Sequence, residues 1–430
     1  MSQYYAAKLE PAMATLVGWL ILFVPVSIGA LNPSAEVCAA IAAVLSLTLL
    51  VLRPSFFCQS IPKHMKIVMG LFTLYFGLGV ASYFINPPAD NSLNSIGTTL
   101  HFVLFVPMLL VLNRYPPKAT LVWGAIILGA SINGIHALYY NSRGTVNPIL
   151  FGDISVYLAF ASLVSLPYMK RFKLGVALSI VGFVLGLMAA FYSLARGSWV
   201  AIGPLMLIVI YYLQKDMLSK QRLILPMAML SVLVVGAGIA GWDKIEPRVN
   251  VAVSEFETYF EGEVYRTSVG YRLETYKGAL LTLKENPVFG VGPGNRAAYF
   301  NDLESRGLLR DLDHILNAHN QVFEDGIDKG LLGIASYLAL MIYLLLHFAK
   351  SYRQSDGQSD GQSGGQSGNR QTNPLGLAGV LLIVGFATFG LTNITFTHGT
   401  FNTFFVCMVI LLMTGVRAES TLAQSPSSRP

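Results

Sequence analysis

Leu174–Leu213 reads LGVALSIVGFVLGLMAAFYSLARGSWVAIGPLMLIVIYYL, and its single charged residue is Arg196. Two apolar runs, each long enough to cross a bilayer, flank a short turn. Neither run alternates apolar with polar residues, so both read as helices, which satisfy their own backbone groups in lipid. Similar runs recur outward from this hairpin in both directions. About twelve have spanning length, near 13–31, 35–52, 66–86, 98–113, 119–137, 151–169, 174–194, 198–213, 223–242, 330–349, 375–393 and 399–416. The expected fold class is an all-α polytopic membrane protein.

Composition agrees. Of the 430 residues, 53% are hydrophobic and 12% charged, against roughly 25% charged in a soluble domain. The net charge of +6 invites a nucleic-acid reading. The basic residues, however, sit in short clusters between apolar runs, as membrane topology requires, so nucleic acid is excluded as a partner and membrane lipid is implied. The three cysteines, Cys38, Cys58 and Cys407, are scattered and have neither metal spacing nor a disulfide framework. Thr15–Leu31 lacks a small-residue cleavage site and reads as the first span.

Lys and Arg set the orientation. The clusters around Arg53 and Lys66, Arg114 and Lys118, Lys170 to Lys173, Lys215 to Arg222, and Lys350 to Arg370 all fall on one side of a twelve-span arrangement, while Asn32–Ala35, Asn86–Ser95 and Thr392–His398 carry no Lys or Arg. Both termini are then cytoplasmic. The expected organisation is spans one to nine over 1–242, an extracytoplasmic loop over 243–329, span ten over 330–349, a cytoplasmic linker over 350–374, spans eleven and twelve over 375–416, and a tail over 417–430. The linker contains SDGQSDGQSGGQSGN at 355–369 and reads as disordered. The long loop has helical patterns of its own, including Glu274–Lys284, which stops at Asn286-Pro287 and the turn-rich Gly290–Gly294.

The outer side carries cations that topology does not demand. Arg143 and Arg196 lie in otherwise apolar outer turns, and the long loop adds Arg266, Arg272 and others. Arg196 stands out, because an ionisable residue that near the hydrocarbon is costly and is by default a functional candidate. The plainer reading is an arginine snorkelling to headgroup phosphates. Several arginines at that depth would suit a lipid-linked diphosphate, since guanidinium binds phosphate oxygens through bidentate hydrogen bonds and stays protonated.

A general base has more than one candidate among the seven histidines and the loop acids. His64, His101, His136 and His347 read as structural, and His398 lies in the last outer turn. Asn317-Ala-His319-Asn starts like a helix, with Asn317 as N-cap and His319 in the first turn, where the helix dipole would keep the imidazole neutral. Asp311-Leu-Asp313 is a D-x-D that in some glycosyltransferases binds a metal; an ordinary solvated turn is the commoner meaning. Glu255, Glu257, Glu261 and Glu263 read as surface.

Three stretches resemble the O-antigen ligases, a family within the group that also holds O-antigen polymerases and protein O-oligosaccharyltransferases. His319-Asn320, nine residues, then Gly330 and Gly333 is similar to H-[NSQ]-x9-G-x2-G. Arg272, Tyr276, Pro287, Gly290, Gly292 and Gly294 resemble the family's loop pattern of an arginine, an aromatic and P-x2-G-x-G. Ser193–Trp199 resembles its arginine turn, with Leu194-Ala195 where the family has a small polar residue. The resemblance implies a GT-C-like glycosyltransferase with no cofactor and no metal, acting by inversion from a periplasmic loop at the inner membrane. It implies undecaprenyl diphosphate-linked O-antigen as donor and lipid A–core as acceptor. Carried over by motif, Arg196 and Arg272 would bind the diphosphate and His319 would activate the acceptor, with Asn320, Gly330, Gly333, Gly292 and Gly294 shaping the motifs. Arg143 and Arg266 join the diphosphate set on charge and position alone. A polymerase or a protein-directed transferase is the nearest rival, and a flippase for the same lipid is the rival of another class. A flippase should bury charge along a path through the membrane, whereas here the unusual charges gather on one side.

Overall fold

The computed structural model describes residues 2–31, 33–56, 59–89, 93–216, 242–262, 266–310, 317–353 and 373–423. In chain order the helices are α1 (Ser2–Ser27), α2 (Ser34–Leu52), α3 (Lys63–Ile85), α4 (Asn94–Gly97), α5 (Leu100–Arg114), α6 (Ala119–Tyr140), α7 (Pro148–Val164), α8 (Leu166–Met169), α9 (Gly175–Tyr192), α10 (Arg196–Val200), α11 (Ile202–Asp216), α12 (Trp242–Glu261), α13 (Ser268–Glu285), α14 (Arg296–Ser305), α15 (Gln321–Arg353), α16 (Pro374–Phe389) and α17 (Gly399–Ala423). No strand occurs among the described residues. Seven helices are long and apolar enough to cross a membrane, and four shorter apolar ones lie at 100–114, 148–164, 196–212 and 374–389. These correspond to eleven of the expected spans. The remaining one, 223–242, lies outside the described residues apart from Trp242, which opens α12, and so does the Gly/Ser/Gln repeat.

The bundle is organised around α17, which packs on α1, α2, α5, α6 and α16. Phe401, Phe404, Phe405, Met408 and Leu411 of α17 are wholly buried. Lipid tails are as apolar as these side chains, so the helices are held by close packing rather than by exclusion of water. Small residues permit that packing: Gly134 of α6 lies against Leu185 of α9, where a Cβ would collide. Large apolar side chains such as Val51, Leu207 and Leu346 point outward, as they can where the surrounding solvent is lipid.

One end of the bundle carries a helical cap, built by α12, α13 and α14. Its own small core joins Ala279, Val291, Phe300, Leu303, Leu309, Ala318 and Ile327. Thr267 starts α13 by accepting the Gly270 N–H (3.0 Å), and the helix ends at Asn286, where the Asn-Pro signal put its stop. Buried Glu274 ties the cap together, accepting the Tyr259 hydroxyl (2.8 Å) and the Arg310 N–H (3.2 Å). Glu255, expected to be mere surface, accepts the Val269 N–H (3.1 Å).

The cap joins the bundle at a break in α15. Gly330 interrupts that helix with φ 64° and ψ −157°, a conformation open to glycine and strained for other residues. The loop Pro287–Gly294 docks into the break: Val291 N–H donates to Ile327 O (2.8 Å), and Leu331 N–H donates to Pro287 O (2.8 Å). A side chain at Gly290 would strike the Ile327 carbonyl, and one at Gly330 would strike Val288. The glycines of two sequence motifs therefore form one contact. Asn86, at the end of α3, braces it from the bundle side, donating to Gly290 O (3.2 Å) and accepting from Asn295 Nδ2 (2.7 Å).

Candidate functional site

The candidate site lies at the capped end and is assembled from three turns. The first is Ser193–Trp199, the turn between α9 and α11. Ser193 folds it, donating to Ala190 O (2.7 Å) and accepting the Ala195 N–H (3.1 Å). Leu194 takes a left-handed conformation, φ 56°. Arg143 comes from the neighbouring loop and donates from Nε to Ser193 O (2.8 Å). Arg196 opens α10 and is exposed.

The second turn joins α16 to α17. Gly197 lies against Thr392, so the arginine turn and this turn are in contact. Asn393 and Ser198 face Asp153, a residue of α7 only 1% exposed. No motif includes Asp153, which stands alone in an apolar run. The signal was present all the same, since an acid within a span is a functional candidate by default.

The third turn carries His319. The structure corrects the expected cap. Asn320, not Asn317, caps α15: its Oδ1 accepts the N–H groups of Val322 (2.9 Å) and Phe323 (3.2 Å). His319 therefore precedes the helix instead of sitting in its first turn. Its backbone is left-handed, φ 49°, a region that bulky residues seldom occupy but that His tolerates better than most. The helix also binds the second turn: Gln321 N–H donates to Gly390 O (2.8 Å), Gln321 Oε1 accepts the Phe396 N–H (2.7 Å), and Asn320 Nδ2 reaches Leu391 O (3.4 Å).

Arg272 reaches the same place from α13, one turn before Tyr276, whose ring packs on Phe323 (centroids 4.6 Å apart). Burial, then Arg272, then His398 push the His319 imidazole below its ordinary value of 6.5. Loss of water and a neighbouring guanidinium bias the ring toward its neutral form, causes that the sequence did not name. His319, Arg272 and His398 are brought together, and the turn that carries Arg196 and holds Arg143 touches the second turn at Thr392. Arg266 is exposed, just before the cap residue Thr267.

Behind His319 the first turns of α15 are buried but charged. Glu324, Asp325 and Lys329 are 2%, 1% and 6% exposed. Asp325 accepts the Tyr75 hydroxyl (2.8 Å) and pairs with Lys329 (2.5 Å), whose ammonium also lies over the Tyr75 ring. Arg296 Nη2 pairs with Glu324 Oε1 (2.6 Å) and Asp328 Oδ1 (3.0 Å). Sequence reading missed this set, because acids just after a helix start look like an ordinary solvated first turn. Among the described residues no group of three His, Cys, Asp or Glu side chains could hold a metal. Asp311, Asp313 and His314 lie outside the described residues.

The class is thus a polytopic helical membrane protein with a polar site under a helical cap at one end. Residues 181–338 match the family model described as O-antigen ligase, a stretch that runs from α9 through Arg196, Arg272 and the glycine loop to His319 and Gly333. That segment carries the likeness to the O-antigen ligase superfamily which the three motifs led us to expect. A protein of Haemophilus influenzae described as uncharacterized is 26% identical over 288 residues, covering 64% of this chain and 71% of its own length.

Proposed function

We propose that the protein is an O-antigen ligase. In this reading it moves O-antigen polysaccharide from undecaprenyl diphosphate to a sugar hydroxyl of lipid A–core, at the periplasmic face of the bacterial inner membrane. The observation that carries the reading is a histidine biased toward its neutral form beside Arg272, on turns continuous with the Arg196 turn. Neutral imidazole suits a general base near pH 7. His319 takes the acceptor hydroxyl proton as the oxygen attacks the anomeric carbon from the face opposite the diphosphate. The bond from that carbon to the phosphate oxygen breaks, and its electron pair leaves on the diphosphate. Arg196 and Arg272 stabilise that charge through bidentate hydrogen bonds. Arg143 steadies the Arg196 turn through Ser193 O and, with Arg266, adds positive charge. Diphosphate is a weak base, so its departure needs no general acid, and the step is inverting and independent of metal.

Disruption of the gene, with lipopolysaccharide displayed on gels, tests the reading. A ligase predicts loss of the O-antigen ladder and accumulation of lipid-linked polysaccharide. A single capped repeat would instead indicate a polymerase, and an unchanged ladder would remove both readings. In complementation, Arg196→Lys and Arg272→Lys should each lose about tenfold to hundredfold in transfer. A point ammonium cannot replace a bidentate fork, and a charge-assisted hydrogen bond is worth roughly 1.5–3 kcal/mol.

A further inference from the structure

We propose that Glu324 is the positioning residue for His319, and that Arg296 holds Glu324 in place to do this. The left-handed turn at His319 must be kept from relaxing, and its backbone is gripped on both sides. After it, Asn320 is fixed as the helix cap. Before it, the Ala318 N–H donates to Glu324 Oε2 (3.0 Å). That carboxylate is 2% exposed, and its other oxygen is 2.6 Å from Arg296 Nη2. A lone buried carboxylate would be costly, and the Arg296 guanidinium offsets that cost while fixing the direction of the carboxyl group. Arg296 directly follows the loop that docks on Gly330. The glycine contact, the ion pair and the histidine turn are therefore one mechanical chain, and Glu324 touches the turn without being directed at substrate.

The test separates positioning from folding. Arg296 keeps Asp328 as a partner when Glu324 is removed, so Glu324→Ala should still insert and fold. Glu324→Gln keeps one acceptor oxygen, which can take the Ala318 N–H while Arg296 turns to Asp328, and should keep the turn. The first readout needs no glycan: the Cε1–H resonances of labelled histidine in purified protein, titrated with pH and assigned through His319→Gln. Arg272 and His398 are the charged and titratable neighbours of the ring. In the native protein and in Glu324→Gln, His319 should titrate below the ordinary histidine value. In Glu324→Ala the turn relaxes and the titration should move up toward that value. The second readout depends on the ligase reading above: Glu324→Ala should lose at least tenfold in turnover with donor KM unchanged, and Glu324→Gln should stay within about threefold. A His319 titration that is the same in Glu324→Ala as in the native protein overturns the proposal, whatever the transfer assay gives. Should Glu324→Ala fail to fold, Glu324→Asp carries the same comparison, because the shorter acid keeps the charge for Arg296 but draws back from Ala318.

Discussion

Phe401–Met413 and Gln321–Gly330 are both buried, yet they are built from opposite materials. The first is the middle of α17, apolar apart from Asn402 and Thr403, and it sits at the centre of the bundle. The second is the start of α15, where Gln321, Glu324, Asp325 and Lys329 are buried within nine residues of one another. In the first, burial needs no further explanation, because any well-shaped apolar side chain serves. In the second, each charge must be matched, and a matched set of buried charges adds little net stability over apolar packing. What it adds is a fixed geometry. The difference predicts that substitutions in the two regions will fail in different ways.

The largest effect belongs to His319→Asn. Asparagine accepts the left-handed backbone, so the turn survives and only the base is removed. Transfer should fall about 100-fold to 10,000-fold, with expression, thermal stability and donor binding kept. The native pH profile should show the matching sign. Because burial and Arg272 lower the pKa of His319, the neutral base persists below pH 6.5, and activity falls only under more acid conditions as the ring protonates. An acid limb centred above 6.5 would point to a different base.

Leu411→Ala should do the reverse. This wholly buried leucine leaves a cavity when truncated, at a cost of about 2–5 kcal/mol. Its unfolding midpoint in detergent should drop while turnover per folded molecule stays native. If turnover falls as well, the apolar centre and the charged segment are coupled, and the contrast between them fails. Glu285→Gln should have the smallest effect. Glu285 pairs with Arg306 and takes the Tyr299 hydroxyl at the exposed surface of the cap, where water competes for the same bonds. Transfer and melting should both be unchanged, which would separate the buried ion pairs from exposed ones on the same cap.

Much of this was legible before any coordinates. The helices were, because apolar runs of spanning length have few other uses. So were the Arg196 turn and the end of α13, since Asn286-Pro287 is a local stop. The cap of α15 was not, because Asn317 and Asn320 are equally good caps in sequence; the choice rests on the Gly390 and Leu391 carbonyls and on the left-handed His319. Glu324, Asp325 and Lys329 were read past for the same kind of reason. Their partners, Arg296 and Tyr75, are brought in by the glycine loop and by α3, contacts that no local pattern records. Asp153 belongs to no motif, yet hydropathy alone singles it out as an acid within an apolar run.

The stretch between Asn320 and Gly330 also works as a ruler. Its nine residues, 321 to 329, are helical between a fixed cap and a fixed break. Each residue advances a helix by about 1.5 Å and turns it by about 100°. One inserted residue would leave both ends chemically intact and yet swing His319 to another face of the helix, away from Arg272. Four inserted residues, close to one full turn, would restore the direction but lift the histidine about 6 Å from its neighbours. Neither length nor angle could then be repaired by changing side chains. The interval is closed to insertions and deletions even where its individual residues can be exchanged.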